Sequence, residues 1–78
     1  MTRSLATEYA GRGVRINTVA LGIIETHDPA SYQGLASRHP LGRLGQVSDV
    51  VDGVLYLERA RFVTGATLRI DGGRAAGG

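Results

Sequence analysis

The residues best placed to do chemistry form one run, Gly13-Val14-Arg15-Ile16-Asn17-Thr18-Val19-Ala20-Leu21-Gly22-Ile23-Ile24-Glu25-Thr26. It reads as a short buried strand that empties into a glycine-bearing loop. In open parallel α/β sheets, ligands bind just beyond the carboxyl ends of the strands. The loop after residue 20 is therefore the natural place for a site.

Few other residues offer chemistry. All nine basic residues are Arg, so a site that needs a Lys cannot be built from these 78 residues alone. His27 and His39 could serve as bases or metal ligands, but Asp28 is the only acid between them in sequence. A metal site needs three or four convergent ligands, so both histidines are read as solvated loop residues and no metal site is expected. There is no Cys, which excludes a disulfide framework and thiolate metal sites and is compatible with a reducing cytoplasm. Asn17 is disfavoured within a strand, and its side chain is expected to bond neighbouring backbone. Asp71-Gly72-Gly73 has the composition of an anion-binding nest, but a strand-ending turn is the simpler reading.

Composition narrows the partners. The net charge is +2, and the arginines are dispersed. Nucleic-acid binding calls for a basic stripe with aromatic platforms, whereas only Tyr9, Tyr32, Tyr56 and Phe62 are aromatic. No nucleic-acid partner is expected. No apolar run approaches the ~20 residues that span a bilayer, and the N-terminus has no signal-peptide core. A cytoplasmic chain with no membrane partner is the expectation.

The elements that position the loop follow from periodicity. Leu5, Ala6, Tyr9 and Ala10 make an apolar stripe at helical spacing, predicting a helix over 2–11 that Gly11-Arg12-Gly13 ends. Residues 14–20 are rich in β-branched types between glycines, which predicts a strand. Residues 21–46 form a long loop, with a short helix expected over 30–37. Val47, Val50, Val51, Val54, Leu55 and Leu57 follow the amphipathic rule and predict a helix over 47–59, with Ser48 and Asp49 favourably placed in its first turn. A second strand is expected over 66–71, followed by a frayed tail. The order implies two parallel strands joined by a right-handed crossover. That is an α/β fold, a partial Rossmann-like unit with two main helices and a long loop. Two strands are few for a parallel sheet, so an unpaired apolar edge is expected.

These residues resemble the C-terminal third of a short-chain dehydrogenase/reductase. Ser4-Leu5-Ala6-x-Glu8-Tyr9-Ala10 with Gly13-Val14-Arg15-Ile16-Asn17 is similar to that family's helix and sixth strand. His39-Pro40-Leu41-Gly42-Arg43-Leu44-Gly45, then Asp49-Val50-Val51, resembles its entry into the next helix, and Phe62-Val63-Thr64-Gly65 with Ile70-Asp71-Gly72-Gly73 resembles the surroundings of its seventh strand. The resemblance implies an NAD(P)-dependent oxidoreductase acting on an alcohol or carbonyl compound, with NAD or NADP as cofactor. It also implies that the loop of Gly22, Ile24 and Thr26 faces the nicotinamide carboxamide through backbone groups and the Thr hydroxyl. Leu21 stands where the family has proline, which loosens the loop.

The family's other motifs are missing. Gly11 and Gly13 lack a third glycine at Ile16 and follow a helix, unlike the glycine-rich phosphate turn. Tyr9, Tyr32 and Tyr56 are followed four residues later by Gly13, Ala36 and Ala60, so no Tyr-x-x-x-Lys unit exists and no catalytic residue is assigned. Met1 falls where the family has an apolar helix residue, which suggests a truncated fragment, inactive in isolation. The competing reading is a non-enzymatic interaction module. It would dock through its sheet edge and Val-rich helix on itself, as a homo-oligomer, or on a full-length relative.

Overall fold

The computed structural model describes residues 1–26 and 28–77. Helix α1 spans Thr2–Ala10. It buries Ala6 against the turn at Gly65, whose left-handed backbone (φ 74°) leaves room for no more than the Ala6 methyl beside it. Beyond α1, the left-handed residue is Gly13 (φ 76°), not Gly11. The Val14 amide donates back to the Tyr9 carbonyl, which closes the helix end.

Strand β1 is Thr18–Leu21 and β2 is Thr67–Ile70, paired in parallel from Thr18 opposite Thr67 to Leu21 opposite Ile70. The expected strand over 14–20 thus begins four residues later. The reason is local: side chains replace the ladder there. The Ile16 amide donates to Thr64 Oγ1 (3.1 Å), and Asn17 Nδ2 donates to the Val63 carbonyl while its Oδ1 accepts from Ala66 N–H. Asn17 therefore bonds neighbouring backbone as expected, although it lies just before β1 and not within it.

Helix α2 spans Val47–Arg59 and packs on both strands. At its N-terminus the Gln46 amide donates to Asp49 Oδ2 (2.7 Å), which satisfies one of the free donors of a first turn. Gly53 lies directly over Ile70 and Leu68; a Cβ there would run into Ile70 Cδ1. Its C-terminus is held by Arg15, whose guanidinium donates to the carbonyls of Leu57, Glu58, Ala60 and Val63.

The segment expected as one helix over 30–37 is instead two 3₁₀ turns, Pro29–Tyr32 and Ala36–Arg38. Gly34, at φ 80°, separates them; a right-handed helix cannot run through that conformation. The expected frayed tail forms a single helical turn, α3, Arg74–Gly77.

Among the described residues only Ala6, Leu57 and His39 are buried. The accessible surface is 5685 Å², against about 4,500 Å² for a typical folded monomer of this mass. Much of the excess is apolar: Val47, Val51, Val54, Leu55, Tyr56 and Phe62 are all exposed. Among the described residues no helix is long and apolar enough to cross a membrane.

Candidate functional site

The carboxyl ends of β1 and β2 open into a cleft of about 340 Å³, at the small end of the ~300–1,000 Å³ range of ligand pockets. Its walls are the β1 loop (Gly22, Ile23, Ile24), the start of the next segment (His39, Leu41, Arg43, Gly45) and the end of β2 (Ile70 to Gly73). Asp49 and Asp52 from α2 complete it.

Close backbone approach shapes these walls. The Gly22 amide extends the ladder to the Ile70 carbonyl (2.9 Å). A Cβ at Gly22 would lie 2.8 Å from the Asp71 Cα and 3.1 Å from His39 Nε2. Ile24 forms a parallel bridge with Gly45: Gly45 N–H donates to the Ile23 carbonyl and Glu25 N–H to the Gly45 carbonyl. The loop after β1 is therefore held along both sides, and Leu21, expected at the start of that loop, is instead the last residue of β1.

Of the three residues expected to face a ligand, Gly22 and Ile24 line the cleft. Thr26 is not among its walls. Its amide donates to the Tyr32 hydroxyl (3.0 Å), and its own hydroxyl shares a hydrogen bond with the same oxygen (3.2 Å). Asp28 caps the following 3₁₀ turn, its Oδ1 accepting from Ala30 N–H.

The turn Asp71-Gly72-Gly73 is no open anion nest. Asp71 fills it with its own carboxylate, accepting from Gly73 N–H (3.0 Å) and Ala75 N–H (3.2 Å). Gly72 and Gly73 both take positive φ, the conformation a strand-ending turn demands.

His39 departs from expectation. Instead of a solvated loop residue it is 3% exposed, with both ring nitrogens engaged: Nε2 accepts from Ile23 N–H (3.2 Å) and Nδ1 faces the Leu35 carbonyl (3.2 Å). His27 lies outside the described residues. Among the described residues no cluster of His, Asp or Glu could hold a metal ion.

At the rim, Arg43 and Asp49 form a two-point ion pair of 2.9 and 3.3 Å. The Arg43 hydrogen bond and the Gln46 amide hold the Asp49 carboxyl below its ordinary value.

Residues 1–75 match the family described as enoyl-(acyl carrier protein) reductase. The chain is 39% identical over 82 residues to glucose 1-dehydrogenase of Gluconobacter oxydans (strain 621H), which covers 94% of this chain and 31% of that protein. Among solved structures, it superposes on ElxO with NADP bound with a TM-score of 0.84 at 36% identity, covering 96% of this chain and 34% of that one. It superposes on 4-hydroxyisoleucine dehydrogenase complexed with NADH and succinate with a TM-score of 0.82 at 34% identity, covering 96% and 33%. The chain thus spans about a third of the length of the relatives it matches.

Proposed function

Because the chain belongs to the short-chain dehydrogenase/reductase family, we propose that its residues form the nicotinamide-facing end of an NAD(P)-dependent oxidoreductase acting on an alcohol or carbonyl compound. The observation that carries this reading is the cleft at the carboxyl ends of β1 and β2, with Gly22 and Ile24 in its wall. Ligands of open parallel sheets bind there.

The donor set fits the polar head of such a cofactor. Ile24 presents backbone at the cleft, braced from behind by Gly45, and Thr26, hydrogen-bonded to Tyr32 outside the cleft walls, would turn its hydroxyl to the ligand on binding. Together they would bind and orient an amide group. Ile23 and Ile24 would exclude water from one face of a flat ring. A bound nicotinamide would supply or accept the hydride. The accompanying proton needs a donor outside these residues, since none of their tyrosines has a lysine partner. The phosphates likewise need a glycine-rich turn that these residues lack. The 78 residues alone are therefore inactive in this reading.

The test is calorimetric titration with NAD(H) and NADP(H), first of the 78-residue chain and then of a chimera in which these residues replace the matching third of glucose 1-dehydrogenase. No saturable binding by the chain and micromolar binding by the chimera are expected. A folded chimera that binds neither nucleotide overturns the reading.

A second reading draws on the exposed Val47, Val51, Val54 and Tyr56 of α2: a non-enzymatic module that self-associates or docks on a full-length relative. Size-exclusion chromatography separates the two, because a monomer that resists concentration argues against docking on itself.

A further inference from the structure

We infer that His39 is a positioning residue that fixes the cofactor-facing loop after β1 through the Ile23 amide. The inference rests on the cofactor reading above for its purpose, but its geometry stands alone. His39 sits where three segments meet. Its Cβ lies beneath Gly72, its ring abuts Gly22, and its backbone carbonyl accepts from Gly42 N–H (2.7 Å). Leu41 N–H in turn donates to the Gly72 carbonyl (3.0 Å), so the ring is anchored to the end of β2 before it touches the β1 loop.

The partners dictate the ring's state. The Leu35 carbonyl can only accept, so Nδ1 must carry the hydrogen; the Ile23 amide can only donate, so Nε2 must be bare. A neutral, single-tautomer imidazole is the one form that satisfies both groups. It also explains the glycine at 22. A side chain there would press on the same Nε2 and on the Asp71 backbone, displacing the acceptor from Ile23. With Ile23 N–H tied inward, the next residue, Ile24, is turned to the cleft wall. An aliphatic side chain at 39 would fill the space but leave a part-buried amide without a partner, which is costly.

The experiment uses the ¹⁵N-labelled 78-residue chain. His39 should show one tautomer, with a bare Nε2 coupled across the hydrogen bond to the Ile23 amide. In His39→Leu, amide exchange at Ile23 should rise about tenfold, while the Gly22 amide, bonded to Ile70 on the ladder, stays protected. His39→Gln, which keeps an acceptor, should recover part of the protection. A wild-type ring with the mixed tautomers of free histidine overturns the inference, as does equal acceleration at Gly22 and Ile23. In the chimera described above, His39→Leu should weaken nucleotide binding about tenfold, the loss that one hydrogen bond's worth of misplacement produces, and His39→Gln should restore part of it. A wild-type chimera that binds no nucleotide removes the cofactor reading and the role built on it, but leaves the measured tautomer intact. A binding chimera indifferent to His39→Leu removes the positioning role alone.

Discussion

The two ends of this small sheet are built on opposite plans. At the amino ends of the strands, polar side chains reach into backbone: Arg15 holds four carbonyls, and Asn17 and Thr64 stand in for missing ladder bonds. At the carboxyl ends, side chains are withdrawn. Gly22 and Gly45 let segments approach as closely as a Cβ would forbid; the buried His39 ties the loop after β1 through the Ile23 amide, while Asp71 bonds within its own turn and Arg43 pairs with Asp49 at the rim. The first plan closes an end; the second leaves a cleft beside an ordered loop. The contrast separates residues that hold the sheet from residues that shape a site.

The contrast is broken most directly at Arg15. Replacing it with Met keeps the aliphatic stem but strands carbonyls at the C-terminus of α2, where they have no intrahelical partner. Charge-assisted hydrogen bonds contribute about 1.5–3 kcal/mol, so Arg15→Met should cost about 3 kcal/mol in urea unfolding. That is comparable to the ~3–5 kcal/mol one small core supplies. A loss below about 1 kcal/mol would mean the guanidinium is a bystander and the amino end is not stapled as described.

Gly22→Ala should come next. The new methyl meets the Asp71 Cα at 2.8 Å, a backbone atom that cannot rotate away, and overpacking of this kind costs about 1–3 kcal/mol. The damage should be local. Amide protection should fall at Ile23 and Leu41 and remain at Ala66, which answers to Asn17. Loss of protection at both ends together would show that the sheet melts as one unit and that the two plans are not separable.

Asn17→Ala probes the other end at a smaller scale. It strands one donor, the Ala66 amide, and leaves the Val63 carbonyl to Arg15 alone, and both are near enough to the surface for water to compensate in part. About 1–2 kcal/mol is expected, with exchange accelerated at Ala66 and unchanged at Ile23.

These differences also explain what could be read in advance. The span of α2 was legible because its apolar spacing is local and repeats over several turns. The parallel pairing followed from the order of elements. Asn17 was legible as a backbone partner because Asn is out of place in a strand. The start of β1 was not, because residues 14–16 look like strand, yet Val14 N–H donates back to the end of α1 and Ile16 pairs with Thr64 Oγ1 and the Gly65 amide, far away in sequence. The break at Gly34 was hidden because only its realised φ separates one short helix from two turns. His39 was read as solvated for the same reason: nothing near it in sequence announces that Gly22 and Gly72 will close over it. In the site, the glycine and isoleucine of the loop could be placed in the cleft, but Thr26 could not be paired with Tyr32, since that contact depends on how the 3₁₀ turn folds back.

The smallest effect lies at the rim of the cleft, and it sharpens the comparison by its pH dependence. Asp49 joins the two plans: it accepts from Arg43 across the cleft mouth and from the Gln46 amide at the head of α2. These bonds hold its folded pKa below the ordinary 3.8. A depressed carboxylate stabilises the fold at pH values above the unfolded pKa, and that contribution disappears as pH falls through the lower, folded one. The urea midpoint of Asp49→Asn should therefore lie slightly below that of the parent chain from neutral pH downward, and the two should converge only below pH 3.8. Because Arg43 is exposed and Asp49 partly so, the ion-pair part should fade in molar salt. The amide part, a short-range hydrogen bond that fixes the first turn of α2, should persist there. Arg43→Gln separates the two, since it removes the salt-sensitive part and leaves the Gln46 bond in place. If salt abolishes the whole difference, the charge of Asp49 serves the cleft mouth alone, because the amide oxygen left by Asp49→Asn can still accept from Gln46 N–H.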